Sequence, residues 1–152
     1  MILEAMQETF PDITPHDLDA YQIVSEKVKH GDVAMRIANV HIPEVIFELG
    51  LKKGSDTMMR EFSQEGTTAR YLAISEHPVQ TLPKLLMYHD SFTFALMPFL
   101  ADHFSTATFL RVKDTGKGVE YDISYVDIVK PDIVVIEFTE RFVEWLLFLP
   151  DL

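Results

Sequence analysis

One stretch of the chain carries residues that could do chemistry: His89, Asp90 and Ser91 stand together after a short apolar run at 84–88. A serine hydroxyl acts as a nucleophile in acyl transfer when a base assists it and an acid orients that base. The run before it is typical of a buried strand, and helical spacing of apolar residues predicts a helix directly after Ser91. Ligands bind at the carboxyl end of such a strand, near free helix N–H groups that favour negative charge.

Three apolar runs are the elements that must position this serine: 84–89, 106–112 and 132–137. The last run is continuous, as in a parallel strand that is covered on both faces. Helical segments that begin near 92 and 121 separate the runs, and this order predicts right-handed βαβ crossovers. The sequence therefore predicts an α/β fold, a three-layer sandwich with a mainly parallel sheet of the flavodoxin-like class.

The patterns outside these runs are less regular. A short helix is predicted within 1–10, and the segment 14–17 (Thr-Pro-His-Asp) has the pattern of a capping box that starts a second helix, with Gly31 at its end. Residues about 40–80 are interpreted as a small insert of uncertain structure. A helix at 140–149 is apolar almost all round, which predicts burial in the core or a dimer contact. The insert contains three strand-like segments, at 45–47, 57–59 and 69–74.

Length and composition limit the classes of function. The 152 residues suggest one domain, 1–152, and the net charge of −11 argues against nucleic acid or an anionic membrane as the main partner. The chain has no cysteine, which excludes thiolate catalysis, and its six histidines show no metal-binding spacing, so neither a metal nor another cofactor is predicted. No signal peptide is predicted in residues 1–15, and no apolar run reaches the roughly 20 residues that cross a bilayer.

The serine segment resembles a known family. Residues 89–92 (His-Asp-Ser-Phe), followed by 96–100 and 103–105, are similar to the serine block of SGNH-hydrolase-like proteins. The similarity is greatest to the alginate O-acetyltransferase type, which acetylates exopolysaccharides. Residues 130–137 and the Glu-Arg pair at 140–141 resemble that family's closing strand and its Glu-Arg pair. The resemblance covers roughly the last seventy residues of the chain.

The resemblance implies a double displacement. Ser91 would attack an acetyl ester with the help of a histidine base, and the acetyl group would pass to a sugar hydroxyl or to water. The family's Asp-x-His-Trp block corresponds to residues 12–15, with Asp12 at the position of the acid. Thr14 stands where the histidine belongs and Pro15 replaces the tryptophan. His16 lies two residues after Thr14. It is the base if the segment shifts locally, or else a solvated residue in the first turn of the predicted helix.

Two residues are predicted to bind substrate, and each has a structural alternative. Arg141 matches the family's arginine and is expected near the substrate or its oxyanion, or else in an ion pair with Glu137 or Glu140 at the start of the last predicted helix. Asp90 either contacts substrate or steadies the turn after the strand. The structural alternative for Ser91 is a helix N-cap. His89 is not assigned as the base, because adjacent strand residues point to opposite faces.

The first functional hypothesis is a carbohydrate O-acetyltransferase or acetylesterase that acts on a polysaccharide or acetylated sugar, with an acetyl-donor protein as a further partner. The alternative is a catalytically degenerate domain that binds glycan or serves as an interaction module. The reason for this alternative is that Thr14 stands in the position of the family's histidine and that the tryptophan is missing. The resembled family is exported or membrane-anchored, which implies a periplasmic or extracellular location. Because no signal peptide is predicted, the chain is expected to be either a fragment or a protein with a different cellular location. A homo-oligomer would form through the helix at 140–149.

Overall fold

The chain divides into two compact units in the computed structural model. The sheet unit comprises Met1–Pro15 and Asp56–Leu152, and the hairpin unit comprises His16–Ser55. The expected assignment of the whole chain, 1–152, to a single SGNH-like domain stays a prediction. The residues that the structure describes are 2–30, 43–62, 71–114, 119–139, 143–144 and 147.

The described elements are mostly strands, joined by short helices and 3₁₀ turns. The helices are α1 (Ile2–Gln7), α2 (Met97–Ala101) and α3 (Ser124–Val129), and 3₁₀ turns cover Leu18–Ala20 and Thr93–Ala95. The strands are β1 (Tyr21–His30), β2 (Pro43–Leu51), β3 (Met58–Phe62), β4 (Tyr71–Glu76), β5 (Lys84–His89), β6 (Thr106–Arg111), β7 (Lys113–Asp114), β8 (Val119–Glu120) and β9 (Ile133–Glu137).

The sheet unit is built on a five-stranded mixed sheet with the order β3-β4-β6-β5-β9. Strand β5 pairs in parallel with β6 and with β9, so that Leu85 lies opposite both Ala107 and Ile133. The predicted parallel neighbours 84–89, 106–112 and 132–137 are therefore confirmed. The β3–β4 and β4–β6 pairs are antiparallel. The fold is thus mixed α/β, and the expected three-layer sandwich with a mainly parallel sheet is not confirmed.

Apolar residues of β5 pack on both faces of this sheet, which explains why the strand reads as a continuous apolar run. Leu85 and Met87 belong to a core cluster on one face, and residues of α1 and α2 pack into the same cluster. Leu86 and Tyr88 belong to a second cluster on the other face, with Tyr125 of α3. The four residues are at most 2% exposed. Strand β5 is therefore fixed from both sides, and its carboxyl end is a rigid place for a functional side chain.

The hairpin unit consists of the antiparallel pair β1–β2 with a bulge at Val24. Gly50 lies beside this bulge, and a Cβ there would come within 2.9 Å of Val24 Cγ1. On the polar face, Ser25 and Lys27 both donate to the carboxylate of Glu48. The second helix predicted to start at 14–17 is therefore wrong, since residues 21–30 form a strand.

The remaining sequence predictions divide between the two units. The short N-terminal helix is confirmed as α1, and the strand-like segments of the predicted insert overlap β2, β3 and β4 where the structure describes them. Strand β2 belongs to the hairpin unit, whereas β3 and β4 form an antiparallel pair at one side of the main sheet. The helix predicted at 140–149 falls largely outside the described residues. No helix in the described part of the chain is long and apolar enough to span a bilayer.

Candidate active site

The candidate site lies where the three parallel strands end. His89 closes β5 and is the register partner of Arg111 on β6 and of Glu137 on β9. Register partners in neighbouring strands point their side chains to the same face. These three residues therefore form a row across the carboxyl edge of the sheet, which we call the edge row.

Ser91 follows His89 of the edge row by two residues in the chain, and its side chain is exposed. The helix expected directly after Ser91 is a 3₁₀ turn at Thr93–Ala95, which leads into α2. Phe92, not Ser91, is the N-cap of that turn, and no side-chain capping bond forms there. Among the described residues Ser91 makes no side-chain hydrogen bond, so its hydroxyl faces solvent from a fixed backbone.

Asp90 fixes the turn that carries the serine. Its side chain is 3% exposed, and its Oδ1 accepts a hydrogen bond from Phe92 N at 2.7 Å. Its Oδ2 accepts from Thr139 N at 2.8 Å and from Thr139 Oγ1 at 3.1 Å. The Asp90 carboxylate therefore ties the turn to the segment after β9, which is the turn-steadying role that the sequence predicts. A substrate contact of Asp90 stays a prediction.

Glu137 and Thr93 hold the turn from the other side. Buried Thr93 donates its hydroxyl hydrogen to Glu137 Oε2, while Asp90 N donates to the Glu137 carbonyl at 3.2 Å. Burial raises the pKa of Glu137, and the charge of Asp90 raises it further, against the lowering effect of the Thr93 hydrogen bond. The two carboxyl groups thus share one edge of the sheet, and Glu137 takes up a proton more readily than an exposed glutamate.

His89 is neutral and turned into the core. It is 0% exposed, and its Nδ1 lies 2.5 Å from the Asp90 carbonyl, which can only accept, so Nδ1 carries the hydrogen. Burial lowers the pKa of His89 to about 4, and Arg111 contributes to the lowering. Its Nε2 is buried without a partner among the described atoms. His89 therefore presents no proton acceptor to the exposed Ser91, as the sequence predicts.

Phe94 covers the edge row from the turn after Ser91. Its ring lies edge-on to His89 at 5.5 Å and edge-on to Tyr71 at 4.8 Å between centroids. Arg111 Cζ lies 5.8 Å from the centroid of the Phe94 ring. We call Tyr71, His89, Phe94 and Arg111 the Phe94 cluster. This cluster places a guanidinium at the same edge as Ser91.

Asp12, the predicted acid, lies away from this edge. Asp12 is exposed and lines an open surface pocket with Lys84, at the amino end of β5. The two ends of β5 are roughly 17 Å apart, at about 3.3 Å per residue, so the structure does not bring Asp12 to Ser91. His16 belongs to the hairpin unit and has an exposed side chain. Arg141 lies outside the described residues.

Sequence reasoning missed Arg111, Thr93 and Phe94 as parts of the site, and it named Glu137 only as a partner of Arg141. Arg111 and Glu137 could have been found, because each is a charged residue at, or one position before, the carboxyl end of a predicted parallel strand. Within the described part of the chain, no cluster of three or more histidine or carboxylate side chains could hold a metal ion.

No family model and no curated protein matches the chain. Two solved structures are similar in fold. A DHHW family protein from Eubacterium siraeum DSM 15702 superposes with a TM-score of 0.55 at 14% identity, over 88% of this chain and 52% of that chain. Bacillus cereus PatB1, solved with a sulfonyl adduct, superposes with a TM-score of 0.62 at 12% identity, over 89% of this chain and 52% of that chain.

This similarity shows a shared fold. The chain spans about half the length of these two solved proteins. The fold that the sequence resemblance implies is therefore supported. The two similar structures do not support the more specific likeness to alginate O-acetyltransferases.

Proposed function

We propose that the protein transfers or hydrolyses an acyl ester on a carbohydrate hydroxyl, with Ser91 as the nucleophile. The observation that carries the proposal is the position of Ser91, exposed directly after the central parallel strand β5. A nucleophile gains most when its backbone is fixed and its hydroxyl is open to substrate. Asp90, Thr93 and Phe94 supply that fixation through their bonds and ring contacts.

The reaction is a double displacement. Ser91 Oγ attacks the carbonyl carbon of an acetyl ester while a base takes the hydroxyl proton, and the departing alcohol takes up a proton. A sugar hydroxyl or water then attacks the acyl-serine, and the serine recovers its proton. The base in this proposal is His16, as the family resemblance implies. The acceptor is a polysaccharide hydroxyl, and a separate acetyl-donor protein would supply the acyl group.

Two facts support the proposal beyond the position of Ser91. The residues around it, His-Asp-Ser-Phe, resemble the serine block of a family that acetylates polysaccharides. A protein of similar fold, PatB1, was solved with a sulfonyl adduct. Sulfonyl reagents react with activated nucleophiles, so the same class of reagent is a suitable probe for Ser91.

The second candidate function is glycan binding without catalysis. It is favoured by the absence of a described hydrogen-bond partner on the Ser91 hydroxyl, since a lone serine hydroxyl is a weak nucleophile. The position of Asp12 at the opposite end of β5 also favours it. In this case the fold and the exposed edge remain, but no acyl-serine forms.

Hydrolysis of para-nitrophenyl acetate separates the two functions. The catalytic proposal expects Ser91→Ala and His16→Ala each to lower the rate by at least about 100-fold, with unchanged circular dichroism. Ser124→Ala is the matched control, because Ser124 is also exposed but lies at the start of α3. It should retain the rate of the wild type. Equal background rates for wild type and Ser91→Ala would support glycan binding instead.

A further inference from the structure

The sheet edge that carries Ser91 also carries a cation, Arg111, for which the described residues supply no carboxylate partner. We propose that Arg111 and Phe94 form a binding site for a singly charged carboxylate at this edge. This site is separate from the proposed chemistry, because it does not require Ser91 to be a nucleophile.

The charge of Arg111 is the first observation. The chain has 24 acidic residues against 13 basic ones, so carboxylates are abundant. Exposed Arg60 does find one, with its Nη2 at 3.8 Å from Glu76 Oε2. Arg111 is partly buried, yet within the described part of the chain no carboxylate pairs with it. A partly desolvated cation without a partner is costly, so a bound anion would stabilise it.

The fixed position of the guanidinium is the second observation. Arg111 Cζ lies over the Phe94 ring at 5.8 Å from its centroid, and the rings of Tyr71 and His89 in turn contact the Phe94 ring nearly at right angles. A stacked arginine keeps its N–H groups available at the rim of the guanidinium plane. No described side chain accepts from them. The Phe94 cluster therefore orders the arginine in advance, which lowers the entropic cost of binding a ligand.

The neighbours of Arg111 leave its charge uncompensated. His89 is neutral, and its buried Nε2 has no partner among the described atoms. Glu137 stands two strands away from Arg111, about 10 Å at ordinary strand spacing, and already accepts from Thr93. Neither residue can therefore serve as the counterion.

The negative charges at this edge determine which anion binds best. The carboxyl groups of Asp90 and Glu137 lie at this edge, and like charges repel more strongly as the charge of the ligand rises. A dianion such as phosphate is therefore disfavoured relative to a monoanion. A carboxylate carries one charge and matches the planar fork of an arginine through two parallel hydrogen bonds.

Acetate tests the site directly. Backbone amide NMR shifts of the full chain are followed while sodium acetate replaces sodium chloride at constant ionic strength. Wild type should show saturable shifts around Arg111 and Phe94 with millimolar affinity. Arg111→Gln should weaken binding roughly tenfold, as for loss of a charge-assisted contact, and Arg111→Lys should fall between the two. Arg60→Gln is the control that should bind like wild type.

Several outcomes would overturn the proposal. These are equal acetate affinity of wild type and Arg111→Gln, the absence of any saturable shift around Arg111, and tighter binding of phosphate than of acetate. If Arg111→Gln does not fold, the acetate affinity of the folded Arg111→Lys variant tests the proposal instead. An affinity equal to that of wild type would contradict the bidentate contact. Ser91→Ala should bind acetate unchanged, so loss of ester hydrolysis in that variant leaves the binding result intact.

Discussion

The buried His89 should make the stability of the protein depend on pH. Its pKa is lowered to about 4 by burial and by Arg111, while the same histidine in the unfolded chain titrates near 6.5. Below pH 6.5 the unfolded chain therefore takes up a proton that the folded chain refuses. The contribution of His89 to stability is complete above pH 6.5 and is lost as the pH falls towards 4. Replacing His89 by leucine removes this dependence.

The size of the effect follows from the two pKa values. A pKa that falls from 6.5 to about 4 corresponds to about 3 kcal/mol, at about 1.4 kcal/mol for each pKa unit. Glu137 acts in the opposite direction, because its raised pKa favours the folded state as the pH falls. Only the difference between wild type and His89→Leu therefore isolates the histidine.

Urea unfolding at several pH values between 7 and 4 measures this difference. Relative to His89→Leu, wild type should lose up to about 3 kcal/mol of unfolding free energy across the range. Ser124→Ala is the control, since Ser124 is exposed and the change removes no titratable group, and its dependence on pH should match that of wild type. Parallel curves for wild type and His89→Leu would refute the assignment of His89 as a buried neutral imidazole.

Two further predictions concern the serine turn and strand β5, which precedes it. Asp90→Ala removes the acceptor of Phe92 N and of both Thr139 donors, and should lower the free energy of unfolding in urea by about 3 kcal/mol. In the control Asp127→Asn, at an exposed site, this free energy should change by no more than about 0.5 kcal/mol. Equal losses in the two variants would contradict the role of Asp90. Tyr88→Phe removes a 2.8 Å hydrogen bond to the Asp122 carbonyl and should lower the unfolding free energy by about 1 kcal/mol, whereas an unchanged stability would show that this bond contributes nothing.

The parallel part of the sheet could be predicted because its pattern is local. A strand that is covered on both faces is apolar at successive positions, as residues 85–88 of β5 are. Residues 133–136 are also apolar without interruption, although Val134 on the edge strand β9 is 37% exposed. The antiparallel part could not be predicted. Strand β4 pairs with β6, whose partner residues lie 30 to 40 positions further along the chain, and the pairing depends on contacts that a sequence window does not contain.

The hairpin unit was misread for a different reason. Apolar residues at 18, 21, 24 and 28 recur at helical spacing, but the bulge at Val24 inserts one residue into the alternation of a strand. Tyr21, Ile23 and Val28 consequently lie on one face of β1 although their spacing is uneven. The partner strand β2 then overrides the helix start suggested by residues 14–17.

The candidate site was predictable only where one residue stands at a strand end. Ser91 and the turn role of Asp90 follow from the break between β5 and the next element. The bonds from Thr93 to Glu137 and from Thr139 to Asp90 span more than forty residues, so no local pattern reveals them. The position of Asp12 at the far end of β5 likewise depends on how the first residues pack against the sheet.

Sulfonylation tests directly whether Ser91 is an activated nucleophile. The full chain is treated with phenylmethanesulfonyl fluoride, and the adduct is located by mass spectrometry of proteolytic peptides. We expect a single adduct on Ser91, none on the control serine Ser124, and none in Ser91→Ala. An unmodified Ser91 under conditions that fully label a known serine hydrolase, or an adduct that persists in Ser91→Ala, would contradict it.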